Sequence, residues 1–84
     1  MRPQLIVFPD EFSVVLGTDS VYGKMRFVAP GTRAYALYRY CDDSTHSMRT
    51  AFLIDGVMCS AFDDRLRRLF TGYWPPGMRD YDTL

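Results

Sequence analysis

Asp55-Gly56 lies between two runs of alternating character, and no other feature constrains the fold of this chain as tightly. A two-residue loop between antiparallel strands favours a type I′ turn. Both central residues of that turn need positive φ, and Asp-Gly is among the few dipeptides that adopt it at low cost. On one side Met48, Thr50, Phe52 and Ile54 interleave with Arg49, Ala51 and Leu53; on the other Val57-Met58-Cys59-Ser60 returns. The sequence therefore predicts a hairpin over 49–60 with its tip at Asp55-Gly56.

The N-terminal half reads in the same way. Leu5-Ile6-Val7-Phe8 stops at the turn-forming Pro9-Asp10, Phe12-Ser13-Val14-Val15-Leu16 stops at Gly17, and together they suggest another hairpin. Lys24-Met25-Arg26-Phe27-Val28 gives a further strand, with Met25 and Phe27 on one side and Lys24 and Arg26 on the other. Residues 32–41 fit two periods. As a strand, Arg33, Tyr35, Leu37 and Arg39 oppose Ala34, Ala36, Tyr38 and Tyr40; as a helix, Ala34, Leu37, Tyr38 and Cys41 form a stripe behind Thr32. The density of tyrosine favours the strand.

Beyond residue 60 the period changes. Phe62, Leu66, Leu69, Phe70 and Tyr73 recur at i, i+4, i+7, i+8 and i+11, which predicts an amphipathic helix over about 62–72. Ser60 or Ala61 precedes Asp63 and Asp64, acids suited to a helix N-terminus, and Gly72 stands where a left-handed cap belongs. Tyr73-Trp74-Pro75-Pro76-Gly77 ends the helix and begins an extended tail over 73–84. The fold class expected is α+β: a single domain over 1–84, with a strand-rich part at 4–60. Four to six strands form one twisted antiparallel sheet, and one C-terminal amphipathic helix packs on one face.

Composition bears on function. With 84 residues, 48% apolar and 15% aromatic, the chain lies outside the disordered range and supports one modest core. Net charge is zero, which removes the broad attraction that drives non-specific nucleic-acid binding and eases self-association. Arginine outnumbers lysine nine to one, and Arg, Tyr, Trp and Met together make 21 of 84 residues, the types enriched where proteins grip one another. A GC-rich genome explains the arginine excess equally well, but the aromatics less well. No apolar run approaches the roughly 18 residues that span a bilayer, and no signal peptide is evident, so a cytoplasmic location without membrane contact is expected. Cys41 and Cys59 accordingly read as reduced, buried, small hydrophobes.

The search for chemistry mostly returns absences. There is one histidine, His46, and no nucleophile elbow, phosphate loop or zinc-helix motif. Asp42, Asp43 and His46 share a loop, but Asp and Ser between strands usually bond their own backbone. No catalytic residue, metal site or cofactor is expected. Two surfaces remain as candidates for partner binding. One is the sheet surface with Arg33, Tyr35, Tyr38 and Arg39; the other is the end of the molecule with Arg67, Arg68 and Trp74. The first is favoured, because a strand holds its side chains rigidly and tyrosine loses little entropy on binding.

These features point to a non-catalytic binding protein that occupies a surface of a larger host complex. Met1 and the lack of any linker read as a complete small reading frame, of the kind that phages and mobile elements use for stoichiometric inhibitors of host machinery. Anti-CRISPR proteins are such a class, and the likeness is one of size and missing motifs. The alternatives are a homodimeric small subunit or assembly factor, and a single-stranded nucleic-acid binder that stacks bases on its Tyr and Arg side chains, for which zero net charge predicts weak affinity.

Overall fold

The computed structural model describes residues 3–19 and 23–70. Alternating stretches become strands β1 (Gln4–Val7), β2 (Phe12–Leu16), β3 (Met25–Val28), β4 (Arg33–Asp42), β5 (Ser47–Ile54) and β6 (Val57–Phe62), followed by one short helix, α1 (Asp63–Leu69). The strands form a single antiparallel sheet in the order β1-β4-β5-β6-β2-β3. The hairpin expected around Asp55-Gly56 is present, with Ile54 opposite Val57 and φ of +52° and +77° at the two turn residues. Gly56 accepts that conformation without penalty because it has no Cβ.

Residues 32–41 are strand, as tyrosine density favoured, but two details differ from the sequence reading. β1 and β2 do not pair: β1 lies beside β4, and β2 lies between β6 and β3. Local turn chemistry at Pro9-Asp10 gave no information about partners so distant in sequence. The second difference is a bulge at Leu37, where the register steps from Ala36 opposite Phe52 to Tyr38 opposite Ala51. An extra residue in one strand reverses the alternation beyond it. Arg39 therefore shares a face with Ala34, Ala36, Thr50 and Phe52, while Tyr38 and Tyr40 join Arg33 and Tyr35 on the other.

Two links show that the sheet curls. β3 and β4 stand four places apart in the sheet, about 19 Å if it were flat. The five residue steps from Val28 to Arg33 reach about 17 Å fully extended, and the link is not extended, because Thr32 N–H bonds Ala29 O at 3.2 Å. The link from β1 to β2 imposes the same limit. Phe8 closes both. Its N–H donates to Thr32 O at 2.9 Å and its carbonyl accepts from Gly31 N–H at 2.8 Å. The Phe8 ring lies 5.6, 5.9 and 5.8 Å from those of Phe12, Phe52 and Phe70.

The inner face carries the core: Ile6, Val14, Val28, Ala34, Ala36, Phe52, Ile54, Cys59 and Ala61, together with Leu66 and Phe70 from the helical segment. Leu69 is partly buried against this cluster. The helix is shorter than the sequence suggests and ends at Phe70, whose N–H bonds Leu66 O. The expected cap at Gly72 lies outside the described residues. Phe62 takes the N-cap position with no side-chain cap bond, since its ring offers no oxygen to accept one. Cys41 departs from expectation by being exposed, because it lies beside the turn of the long β4–β5 hairpin, opposite Met48.

Leu66 is fully buried and Leu69 only partly. Leu66→Ala should therefore cost about 3 kcal/mol and Leu69→Ala about half of that. Urea denaturation of the two variants beside the parent checks the order, and equal midpoints would show that α1 contributes nothing to the core.

Candidate partner-binding surface

The outer face of the sheet has a polar centre and apolar margins. Arg49, on β5, is only 1% exposed even though its strand position directs it away from the core. Its Nε donates to Tyr40 Oη at 3.1 Å, a terminal nitrogen donates to Ser60 Oγ at 2.7 Å, and its Cζ lies 4.4 Å from the Phe62 ring centre. Both hydroxyls pass the interaction on. Tyr40 donates to Thr18 O and Ser60 to Gly17 O, each at 2.8 Å. The chain leaving β2 is thereby held over Arg49. Gly17 N–H adds a bond to Met58 O, and the backbone at Gly23 comes so close to Val15 that a Cβ there would strike its Cγ1.

A second buried polar cluster fastens α1. Asp63 Oδ2 accepts from Arg39 Nε at 2.6 Å and Oδ1 accepts from Thr50 Oγ1 at 2.5 Å. Three elements meet at one carboxylate, and the bulge at Leu37 is what turns Arg39 towards it. Arg65 also works internally, donating to Ser13 Oγ at 2.8 Å with its Cζ 4.5 Å over the Phe12 ring. An open depression of about 540 Å³ beside this cluster is lined by Arg39, Ser47, Met48, Phe62, Asp63, Asp64, Arg65 and Arg67.

The margins of the outer face are exposed and apolar. Along β1 and β4, Leu5, Val7 and Tyr35 are each about half exposed and lie beside exposed Arg33, with Leu5 opposite Tyr35 and Val7 opposite Arg33. At the other edge, Met25 and Phe27 of β3 project outward, Phe27 with 75% of its surface in solvent. Of the candidate residues, Arg33, Tyr35 and Tyr38 thus share one surface, and Arg39 does not belong to it. Tyr38 packs edge-on against Tyr40, with ring centres 5.9 Å apart. Arg67 and Arg68 are exposed in the last turn of α1, and Trp74 lies outside the described residues.

Sequence reasoning missed Leu5, Val7, Met25 and Phe27 as surface residues. The signal was present in Leu5-Ile6-Val7, where apolar residues at both parities leave one set facing outward from a strand with a single buried face. Asp42 behaves as loop chemistry suggests, accepting from Ser44 N–H at 3.0 Å. Among the described residues no group of three or more His, Cys, Asp or Glu is placed to hold a metal ion, and no helix is long and apolar enough to cross a membrane. Comparison with protein-family models, with curated proteins and with solved structures gives no match.

The two thiols should differ sharply. Burial pushes the Cys59 pKa above its ordinary 9.0, with the Arg26 charge and hydrogen bond working in the opposite direction, whereas Cys41 is exposed. A disulfide reagent at neutral pH should label one thiol rapidly and the second only on unfolding. Because the unfolded thiol ionises first, the Cys59 contribution to stability is complete below pH 9.0 and declines as the pH rises through and beyond it. Two thiols reacting at one rate in the folded protein would contradict this.

Arg49 offers a sharper test. Arg49→Lys should destabilise by about 2 kcal/mol or more, and by more than Arg49→Met, because a compact, strongly hydrated ammonium cannot reach both hydroxyls from one planar fork. Chemical denaturation of the two variants gives the order, and a lysine variant as stable as the parent would show that the fork geometry is irrelevant.

Proposed function

We propose that this chain is a non-catalytic binding protein that acts in the cytoplasm by covering a surface of a larger protein partner. It fits the kind of stoichiometric inhibitor that phages and mobile elements direct at host machinery, as anti-CRISPR proteins do. The observation that carries the reading is the exposed group Leu5, Val7, Tyr35 and Arg33 on the face opposite α1. Apolar side chains beside an aromatic and an arginine make up the usual centre of a protein interface. The reading also takes α1 to pack as an amphipathic helix across the inner face of a twisted sheet, which leaves the outer face for a partner.

The internal contacts weigh against the nucleic-acid alternative. Tyr40 is tied to Thr18 and Arg49, and Arg39 to Asp63, so two members of the Tyr and Arg platform are already engaged. Single strands should bind weakly and lose affinity steeply with salt. Sub-micromolar affinity at about 150 mM salt would reverse the ranking.

The test compares two double variants with folding verified by circular dichroism. Arg33→Glu with Tyr35→Ala should abolish stoichiometric capture of a host protein and any inhibition of host activity, reducing affinity by roughly a hundredfold or more. Arg67→Glu with Arg68→Glu should leave both nearly intact. The opposite pattern would move the interface to α1, and two inactive substitutions would remove the support for this surface.

A further inference from the structure

We propose that the chain forms a two-fold symmetric dimer by pairing β3 with β3 of a second copy, so that the sheet continues across the interface. Leu16 N–H bonds Lys24 O at 2.8 Å, which fixes the alternation along β3. Lys24, Arg26 and Val28 direct their backbone groups to β2; Met25 and Phe27 direct theirs outward. Among the described residues this edge lacks the usual guards. It has no bulge, its one internal charge, Arg26, turns to the inner face and reaches Asp55 at 3.4 Å, and its outward side chains are Met25 and Phe27.

The register follows from symmetry. Opposed residues in an antiparallel pair lie on the same face, so the two-fold axis passes through Arg26 or Phe27. Centring on Arg26 sets two arginines against each other. Centring on Phe27 instead pairs Phe27 with its counterpart, in the outward-facing hydrogen-bonded position, and pairs Met25 with Ala29 of the second copy. Met25 then lies over an open depression of about 280 Å³ lined by Glu11, Phe27, Val28, Ala29 and Pro30. The same small patch thus provides both knob and hole, as an isologous contact requires. Leu5, Val7 and Tyr35 at the opposite edge stay open, so the dimer does not depend on the partner reading above.

Four strand residues and one depression per copy make a small interface, so dissociation in the micromolar range is expected. Sedimentation velocity on the full chain from about 1 µM to 1 mM should show a monomer passing to a dimer. Phe27→Arg should abolish the dimer with the circular dichroism spectrum unchanged. Met25→Pro removes an outward N–H that β2 does not use and should also give a monomer. Amide exchange at Phe27 should slow as concentration rises. A chain that stays monomeric throughout, or a dimer that survives Phe27→Arg and Met25→Pro, would each overturn the proposal. Pairing of β3 with a strand from a different protein, and not with itself, would overturn it too.

Discussion

Phe8 is the residue on which the closure of this fold depends. Its backbone bonds Gly31 and Thr32, tying the end of β1 to the link that carries the chain from β3 to β4, and its ring meets those of Phe12, Phe52 and Phe70. A six-stranded sheet with links this short has to bend, and bending requires an apolar filling on the inside. Phe8 lengthens the β1–β4 pairing through its backbone, and its ring supplies part of the filling that makes the bend favourable. The small residues Ala34, Ala36 and Ala61 line the inner face, leaving room for the four rings.

The excess of arginine that suggested an interface is divided between two roles. Arg39, Arg49 and Arg65 are engaged internally, with a carboxylate, hydroxyls or an aromatic face, while Arg33, Arg67 and Arg68 are exposed. A planar guanidinium suits the buried role because it makes directed bonds from a fork and stacks on rings, which an ammonium does less well. A near absence of lysine therefore bears on how this small protein builds polar structure beneath its surface, as well as on what it can bind.

Much of the fold was legible because its signals are local. Asp55-Gly56 sets a turn through φ, alternation sets strands, and the spacing of Phe62, Leu66 and Phe70 sets the helix. Three things were not legible, for different reasons. The partner of β1 is decided by packing between residues about thirty positions apart. The bulge at Leu37 has no signature in its own sequence, yet it moves Arg39 from the candidate surface to Asp63. The burial of Arg49 depends on chain folding back from β2, which no periodicity in β5 can reveal. Of the favoured surface, Arg33, Tyr35 and Tyr38 could be read from a period of two, and Arg39 could not.

The grip on the chain after β2 has a consequence for variation. Tyr40 and Ser60 hold it through the carbonyl oxygens of Thr18 and Gly17, atoms that every amino acid supplies. The Thr18 side chain is thus released from the duty of anchoring this stretch, and that duty falls on Tyr40, Arg49 and Ser60 in the sheet. Thr18, which is exposed, becomes a position where the molecule can change its outward chemistry without changing its architecture. A protein under pressure to recognise altered surfaces would find here a place to adapt, and the same property makes the segment a site for grafted recognition sequences.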